Sequence, residues 1–581
     1  MSWNIVARYR RFLDQETGTV VKDWGGKIPV GLAFANTYHT GMSNLGFQAI
    51  YGLFNDYQDV VCERFFLPDR DLAAEHARTG TPLLSVESQK TLDRFELAAF
   101  SLSHENDYPG VLSILSLARM PWRRADRGED GPLILAGGVT MRLNPEPMAD
   151  FLDLILVGDG EEIVPDLLRA WREIRSEPLP KTERILHLAR MVPGAYAPGN
   201  YEAALDREGR LISFGPDRND LPERIRVVRV RNAEARPLAS RILTPATEFA
   251  DTGLVEVGRG CGRGCRFCLA GFAYRPPRFF DRRDILAALD RHQRPAGRIG
   301  LVSPAAADHP DIEGIVRELT GQGRQVTISS LRLASLTHGL VEALIESGLK
   351  SAAVAPEAGS ERLRAFVNKN LTEPQILDGT AMLAEAGIKR LKLYFMIGLP
   401  SETRDDLLAL ADLVKKIKDR LVRGARGRSL TPQITLSISC FVPKAFTPFQ
   451  RQPMIEVKEL QARARLVRGR LSGVKGLRVN FDVPKWGYLQ ALLSRADRRG
   501  SALIEALAGG DSLVQAKKRV TFNPDYFVTR SMEGDGMLPW DFIDHGFETG
   551  YMETEFARAR DGRASPLCRP DVCRVCGICP A

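Results

Sequence analysis

The stretch GRGCGRGCRFCLAGF, residues 258–272, holds three of the nine cysteines of the chain. Cys261, Cys265 and Cys268 are spaced as C-x3-C-x2-C, with glycines around the first two. Structural zinc takes four ligands in a closed tetrahedral site, and catalytic zinc usually includes histidine. No histidine lies near these residues. Three thiolates suit a [4Fe–4S] cube better, because the fourth iron then stays open to a further ligand.

Residues 251–450 alternate short apolar runs with helical patterns such as RRDILAALDRH and ETRDDLLALADLVKKIK. The six strand candidates begin at Gly253, Arg298, Gln325, Ser351, Arg390 and Ile434. Six strand–helix units predict a parallel (β/α)6 sheet, a partial TIM barrel. The three cysteines directly follow the first strand. This places them on the C-terminal rim, where barrel enzymes keep their chemistry.

Residues 27–175 predict a separate α/β domain with a Rossmann-like parallel sheet. Runs such as IPVGLAFA and PLILAGG are apolar throughout and lead towards turns or helices, as in parallel sheets covered on both faces. Ligands of such sheets bind at the carboxyl ends of the strands. The predicted strand ends carry Asn36, Thr37, Ser101, Ser103, Gly137, Gly138, Gly158 and Gly160. Glycine at these positions is expected to let a flat ligand approach the backbone.

The other segments are assigned by composition. They are an N-terminal extension (1–26), a Pro- and Arg-rich linker (176–250), a smaller C-terminal α/β region (451–560) and a Cys-rich tail (561–581). The tail cysteines are Cys568, Cys573, Cys576 and Cys579. Four thiolates so close together can close around zinc or around a second iron–sulfur cluster. The isolated Cys62 and Cys440 are expected to be small buried apolar residues.

The composition is that of a globular protein with several domains. The 581 residues are 44% hydrophobic and 26% charged, with a formal net charge of +8. No apolar run approaches the roughly 20 residues that span a bilayer, and the N-terminus lacks a secretory pattern. These features predict a cytoplasmic protein without a membrane partner. Arginine-rich stretches and a pI near 9.0 leave RNA open as a partner, against the alternative of solvated helix faces.

The pattern C-x3-C-x-aromatic-C after the first strand resembles the signature of radical S-adenosylmethionine (SAM) enzymes. The resemblance implies that the open iron chelates SAM and that Phe267 shields the cluster. It also implies SAM contacts from later strand ends, at Ser329, Arg332, Glu357, Gly398 and Glu402. One departure concerns the segment LVSPAAADHP, which lacks the Gly-Gly-Glu that usually lines the amino group of SAM.

The first domain resembles the cobalamin (B12)-binding domain that is fused to many radical SAM proteins. The segment LAGGVTMRLNPEPMADFLDLILVGDGEE, residues 135–162, is similar to the half of that domain that surrounds the nucleotide tail. The resemblance implies that the eight strand-end residues named above and Glu161 bind cobalamin. The motif D-x-H-x-x-G is absent, and the spacing of His39 does not match it, so no lower cobalt ligand is assigned. The alternative is a Rossmann-like domain that serves packing or binds another ligand.

Together these resemblances imply a cobalamin-dependent radical SAM enzyme that methylates an unactivated carbon. A second hypothesis keeps the radical chemistry but replaces methyl transfer by rearrangement, ring closure or sulfur insertion, with RNA modification included. A third, of another class, is a non-catalytic iron–sulfur electron carrier or RNA-binding protein. An electron donor of the flavodoxin or ferredoxin type is expected as a partner for the enzyme. The substrate is not predicted.

Overall fold

A computed structural model describes residues 2–230, 236–290, 297–424 and 433–579. The N-terminal part is built on a six-stranded sheet with the strand order β2-β1-β3-β4-β5-β6. These strands are β1 (Ile28–Thr37), β2 (Val60–Leu67), β3 (Leu97–Ser101), β4 (Leu133–Gly137), β5 (Leu154–Leu156) and β6 (Ala195–Tyr196). Its helices are α1 (Trp3–Gln15), α2 (Tyr38–Met42), α3 (Leu45–Asn55), α4 (Arg70–Thr79), α5 (Tyr108–Leu117), α6 (Gly160–Ile174) and α7 (Lys181–Met191).

The first five strands are parallel, as the apolar runs predict. Eight of the ten residues of β1 are buried, because helices cover both faces of the sheet. The strand β6 pairs antiparallel with β5 and comes from the predicted linker. The sheet therefore continues beyond the predicted domain boundary at residue 175.

The described residues of the predicted linker include short strands. The linker contains β7 (Tyr201–Leu205), β8 (Leu211–Pro216) and β9 (Ile225–Arg226). The strands β7 and β8 form a hairpin, and β9 pairs with β19 (Ile543–Asp544) near the C-terminus. Residues 176–250 thus connect the first sheet to the C-terminal region.

The middle part contains two parallel sheets with the orders β10-β13-β14 and β15-β16-β17-β18. The elements are β10 (Thr252–Glu256), β11 (Gly258–Arg259), β12 (Arg278–Phe279), α8 (Arg282–Leu289), β13 (Arg298–Val302), α9 (Ile312–Gly321), β14 (Gln325–Ile328), α10 (His338–Glu346), β15 (Ser351–Glu357), α11 (Glu361–Phe366), α12 (Glu373–Glu385), β16 (Arg390–Ile397), α13 (Arg404–Gly424) and β17 (Gln433–Cys440). A parallel bridge between Leu331 and Val354 connects the sheets. All six predicted strands are present.

The C-terminal part adds one strand to this arrangement. It consists of α14 (Val457–Leu471), β18 (Leu477–Phe481), α15 (Pro484–Arg495), α16 (Gly500–Ala508), α17 (Leu513–Arg519), α18 (Asp525–Val528) and α19 (Tyr551–Arg560), with β19 before α19. The strand β18 pairs parallel with β17, although composition assigns residues 451–560 to a separate region. None of the helices in the described ranges combines the length and apolar character needed to cross a lipid bilayer.

The four-stranded sheet is covered by helices on one face. Its strands alternate between buried and accessible residues, as in the pattern of β16, whose leucines are buried and whose Lys392 is exposed. Right-handed crossovers place the connecting helices on the same side, and α12 packs on α13, which packs on α14. We call the other side the open face. Its residues on β16, β17 and β18 are Arg390, Lys392, Tyr394, Met396, Gln433, Thr435, Ser437, Ser439, Arg478 and Asn480, and β15 adds Ser351, Ala353 and Ala355 beside them.

Candidate functional site

The cysteine loop follows β10 and β11 and is closed by its own backbone. The Cys261 amide donates to the carbonyl of Ala270 at 2.8 Å, and the Cys268 amide donates to the carbonyl of Cys265 at 2.9 Å. Gly264 has φ +66°, in the left-handed region that favours glycine. These contacts fix a tight turn that carries all three cysteines.

The segment after α11 holds this loop from outside. The side-chain amide of Asn368 donates to the carbonyls of Arg263 and Gly264, at 3.0 and 3.1 Å. Arg266 is wholly buried, and its guanidinium donates to the carbonyl of Phe366 at 2.7 Å. Because buried backbone carbonyls need partners, these two side chains set the position of the loop relative to α11.

The thiols of the loop are half-buried and influence one another. Burial raises the pKa of Cys265; Lys369 opposes this shift, and the neighbouring Cys261 adds to it. Burial raises the pKa of Cys268 to about 12, with a further contribution from Cys265. Cluster ligands are thiolates, so loading a cluster here must displace protons. The nearby cation of Lys369 favours that change at Cys265.

Over the described ranges, no three His, Cys, Asp or Glu side chains gather closely enough to hold a metal ion. A [4Fe–4S] cube binds each thiolate on a different iron, so its ligands need not converge on one point. The donor set of three thiols on one glycine-rich loop fits such a cube. Cys261, Cys265 and Cys268 therefore remain the predicted ligands.

Two of the predicted SAM contacts lie beside Cys265. Glu357 ends β15 with φ +69°, which is uncommon for a residue with a side chain. Its carboxylate pairs with the Lys369 ammonium at 3.2 Å. Arg332 donates to the carbonyl of Lys369 at 3.3 Å, while its buried Nε finds no hydrogen-bond partner among the described residues. An unpaired buried donor next to the thiols suits the carboxylate of a ligand such as SAM.

The other predicted SAM contacts are already engaged within the protein. Ser329 donates to the carbonyl of Ser303 at 2.9 Å. The carboxylate of Glu402 accepts from the Gly398 amide at 2.8 Å and from Arg463 on α14 at 2.6 Å, and its side chain is only 2% exposed. Glu402 thus braces the turn after β16 and is directed at α14. Its predicted contact with SAM remains a prediction.

Phe267 packs against a small apolar cluster formed by α11 and the strand ends around it, which includes Leu363, Val367 and Phe449. This contact anchors the residue between two of the cysteines. Its predicted shielding of the cluster remains a prediction.

A large cavity lies at the carboxyl edge of the first sheet. It has a volume of about 960 Å³. The predicted residues that line it are Ser101, Ser103, Gly137, Gly138, Gly158, Gly160 and Glu161. Asn36 and Thr37 are not among its lining residues; Asn36 instead donates to Asp107 at 2.9 Å. The ends of β3, β4 and β5 therefore meet at one cavity, as the sheet topology predicts.

At most of these strand-end positions, contacts within the protein leave no room for a side chain. A Cβ on Gly138 would lie 2.3 Å from the carbonyl oxygen of Leu102, and one on Gly158 would lie 2.4 Å from that of Val228. A Cβ on Gly160 would meet Ile50. Internal packing alone therefore requires glycine at these three positions, and their predicted role, room for a ligand, remains a prediction. Gly137 is different, since the nearest atom would be 3.6 Å away.

Sequence patterns did not indicate the charged wall of the cavity. Arg142 pairs with Asp159 at 2.8 Å, and Arg259 pairs with Glu256 and Glu161, both at 2.7 Å. Burial opposes the charge of Asp159, but Arg142 and Arg259 prevail and lower its pKa. Arg259 follows β10 and Glu161 begins α6, so this network joins the two parts of the chain. The Gly-x-Gly-Glu turn was the only local signal for it.

The C-terminal tail lies directly on the cysteine loop. The Cys568 amide donates to the carbonyl of Gly262 at 2.8 Å. Arg266 of the loop donates to the carbonyl of Arg563 at 2.7 Å and to the hydroxyl of Ser565 at 2.9 Å. The Ser565 amide in turn donates to the side chain of Asn368 at 3.0 Å. These bonds connect segments about 300 residues apart in the chain.

Arg275 lies between the tail and the loop. Its guanidinium donates to the Tyr551 hydroxyl at 2.6 Å. Burial raises the pKa of Cys568 to about 11; Arg275 opposes this, and the other three tail thiols, beginning with Cys576, add to it. The four predicted tail ligands therefore interact electrostatically. Cys568 and Cys576 are the two that are buried.

The remaining single residues have structural surroundings. Cys62 is fully buried in the first domain, which confirms its predicted role as a core residue. Cys440 ends β17 and is half-buried, and burial raises its pKa to about 12. His39 is exposed on the short helix α2 and does not line the cavity. Its position agrees with its mismatch to the cobalt-ligand motif.

Two family models match the chain. Residues 255–414 match the radical SAM superfamily, and residues 46–198 match the N-terminal region of radical SAM proteins. The chain therefore belongs to the radical SAM superfamily, as its cysteine pattern indicates. Membership implies a [4Fe–4S] cluster and SAM.

Similar proteins extend over different shares of the chain. An uncharacterised protein of Methanocaldococcus jannaschii is 25% identical over 501 residues, which are 84% of this chain and 94% of that protein. A tRNA-2-methylthio-N(6)-dimethylallyladenosine synthase of Sorangium cellulosum is 24% identical over 197 residues, 29% of this chain and 39% of that protein.

Solved structures give distant matches. The cobalamin-dependent SAM radical enzyme OxsB, with aqua-cobalamin and SAM bound, matches with a TM-score of 0.46 and 14% identity, over 83% of this chain and 66% of that chain. SuiB of Streptococcus suis matches with a TM-score of 0.28 and 12% identity, over 39% of this chain and 47% of that chain.

Proposed function

We propose that the chain is a cobalamin-dependent radical SAM enzyme that transfers a methyl group to an unactivated carbon. One observation carries the cobalamin part: the cavity of about 960 Å³ has walls from both parts of the chain. Ser101 and Gly137 come from the first sheet, whereas Ser303 comes from the segment after β13. Gly260, which directly precedes Cys261, also lines it. A cofactor held on the first sheet would thus face the cysteine loop.

The cavity fits a large, flat cofactor. Gly137 leaves space above the strand end, and the hydroxyls of Ser101 and Ser103 stand next to it. The charged wall around Arg142 and Arg259 offers partners for polar groups at the periphery of a ligand. No histidine of the described residues lines the cavity, so we propose that the chain itself supplies no imidazole to cobalt.

When bound, the cluster supplies the electron that cleaves SAM to a 5′-deoxyadenosyl radical, and cobalamin supplies the methyl group. The residues of the chain hold and orient these groups. Asn368 and Arg266 fix the cysteine loop, and Arg332 and Lys369 place positive charge beside Cys265. The ion pairs of Arg259 close the cavity edge between the two sheets, which limits the access of water to a radical.

We further propose that the four tail cysteines hold a second iron–sulfur cluster that passes electrons to the first. The hydrogen bond between Cys568 and Gly262 puts the tail one residue away from Cys261. Val572 and Val575 are exposed on the tail, where a donor of the flavodoxin or ferredoxin type can reach it. If zinc occupies the tail, the donor must reduce the first cluster directly.

The principal test is anaerobic reconstitution with iron, sulfide and hydroxocobalamin. We expect about eight iron atoms per chain, falling to about four when all four tail cysteines become Ala. Reduced protein should convert SAM to 5′-deoxyadenosine, and Cys261→Ala/Cys265→Ala/Cys268→Ala should abolish this reaction. A loop that binds zinc, or reduced protein that leaves SAM intact, contradicts the proposal and favours a non-catalytic carrier.

A second test addresses cobalamin alone. Gly137→Phe fills the open space at the strand end and should abolish the visible absorption of bound cobalamin while the loop keeps its iron. Gly128→Phe is a matched control, because nothing lies within 4 Å of that exposed glycine.

A third test distinguishes methyl transfer from other radical chemistry. With substrate candidates and methyl-labelled SAM, label in the product supports methyl transfer. Product without label favours rearrangement, ring closure or sulfur insertion, including on RNA.

A further inference from the structure

The open face of the four-stranded sheet carries polar side chains in register. Lys392 on β16, Thr435 on β17 and Arg478 on β18 are paired across neighbouring strands. Neighbouring strands lie about 4.8 Å apart, so the backbones at Lys392 and Arg478 are roughly 10 Å apart. Two long cationic side chains therefore flank a threonine hydroxyl on one row of the sheet.

The cations of this row lack acidic partners within the described ranges. Lys392, Arg478 and the neighbouring Arg390 form no ion pair and no side-chain hydrogen bond with another described residue. The Lys392 ammonium rests over the Tyr394 ring at 4.8 Å, a contact that leaves its donors accessible. All three residues are exposed, and no element of the described residues covers or neutralises them. Many other arginines pair with carboxylates, as Arg172 does with Asp59 at 2.7 Å.

The next rows lead from the cations towards the strand ends. Tyr394, Ser437 and Asn480 form the second row, and Met396 and Ser439 form the third. From Lys392 to the end of β16 at Ile397 the strand rises by roughly 16 Å. Beyond that end lie the turn at Gly398 and, on the neighbouring strand β15, Glu357 beside the cysteine loop. The open face thus forms a polar wall with cations at its far end.

We propose that this wall binds the substrate and that Lys392 and Arg478 bind its oxyanion, a phosphate or a carboxylate. The inference rests on the proposed radical chemistry and adds the class of substrate. A substrate held by its anionic group at the first row reaches the strand ends with its opposite end. Tyr394, Ser437 and Asn480 offer hydrogen bonds to its middle. Charge-assisted bonds from two cations fix its orientation relative to the cysteine loop.

The experiment measures the binding of inorganic pyrophosphate and of succinate to the reconstituted full chain by calorimetry in chloride buffer. At least one of the two anions should bind, and Lys392→Gln/Arg478→Gln should weaken that binding about tenfold or more. The control is Lys458→Gln/Arg465→Gln, which removes the same charge from two exposed cations on α14. It should bind the anions as the wild type does. The preferred anion distinguishes a phosphorylated from a carboxylated substrate.

Two outcomes overturn the inference: neither anion binds the wild type at millimolar concentration, or both double variants bind equally. The substituted residues are exposed, so both double variants should fold. The thermal midpoint of each variant checks this. SAM cleavage without substrate is measured in the same samples and should be unchanged by the control Lys458→Gln/Arg465→Gln. If the wild type does not cleave SAM, the proposed function fails independently of the anion result.

Discussion

Asn368 adopts φ +57° directly after α11, and its side chain serves the cysteine loop and the tail together. Asparagine tolerates this left-handed conformation better than most residues. Its amide donates to the carbonyls of Arg263 and Gly264, and its oxygen accepts from Ser565. One side chain thereby determines how the loop sits between α11 and the tail.

Asn368→Ala should destabilise this region by about 1–3 kcal/mol, because it leaves buried carbonyls unpaired. The iron content of the reconstituted loop should fall with it. Asn368→Gly separates the effect of backbone strain from that of the lost hydrogen bonds, because glycine relieves the strain but does not restore the hydrogen bonds. Both variants should therefore lose iron, whereas Asn4→Ala, at an exposed residue, should not. Full iron content in Asn368→Gly would contradict the assigned role.

Glu402 predicts a pH dependence of stability. Burial raises its pKa from 4.5 to about 7, and the Gly398 amide and Arg463 offset this only in part. The native state therefore binds more protons at this group than the unfolded state between about pH 4.5 and 7. Its contribution to stability is complete below this window and is lost as the pH rises through 7.

The thermal midpoint of the wild type should thus fall from pH 5 to pH 8 by more than that of Glu402→Gln. The amide of the variant keeps an acceptor for Gly398 and has no proton to lose in this window. The control is Glu385→Gln, at the exposed end of α12, which should keep the pH profile of the wild type. Parallel pH profiles for wild type and Glu402→Gln would show that the carboxylate is ionised throughout.

At the scale of elements, the tail packs so closely on the cysteine loop that one methyl group added to the loop should disturb the contact. A Cβ on Gly262 would lie 2.8 Å from the Cys568 carbonyl oxygen. Gly262→Ala should therefore displace the tail, so that alkylation of Cys568 in the metal-free protein becomes faster. Gly128→Ala, with open space around it, should leave the alkylation rate unchanged. Equal rates in both variants would mean that the tail yields without detaching.

The strands show which elements a sequence can reveal. The segment RLKLYFMI predicts β16 because its apolar residues alternate, and the same alternation marks the open face. The strand β18, with the sequence LRVNF, is not predicted, since an edge strand with three half-buried residues has no continuous apolar run. The strand β6 has two residues and receives its place from the sheet edge rather than from its own sequence.

At the scale of the whole molecule, local patterns located the cysteine loop and the strand ends but not their neighbours. In the sequence, nothing distinguishes Arg266 from the other basic residues, yet it is wholly buried between α11 and the tail. The wall formed by Arg142 and Arg259 depends on partners from two parts of the chain. Such contacts join residues far apart in sequence, so no periodicity or spacing predicts them.

A buried ion pair also joins the first domain to the four-stranded sheet. Glu105, before α5, pairs with Lys444 after β17, and Gln490 on α15 donates to the same carboxylate at 3.0 Å. Burial alone raises the pKa of Glu105, but Lys444 prevails and lowers it. The side chains are 5% and 12% exposed, so each charge depends on the other for its solvation.

Glu105→Ala should therefore destabilise the chain by about 3–5 kcal/mol, because it leaves the Lys444 ammonium buried without its partner. The loss should appear in urea unfolding as a shift of the transition in which the two parts separate. Glu105→Leu/Lys444→Met fills similar volume without charge and should recover most of the loss, since an apolar pair avoids the desolvation cost. If the double variant is as unstable as Glu105→Ala, the carboxylate acts through Gln490 and α15 instead of through Lys444.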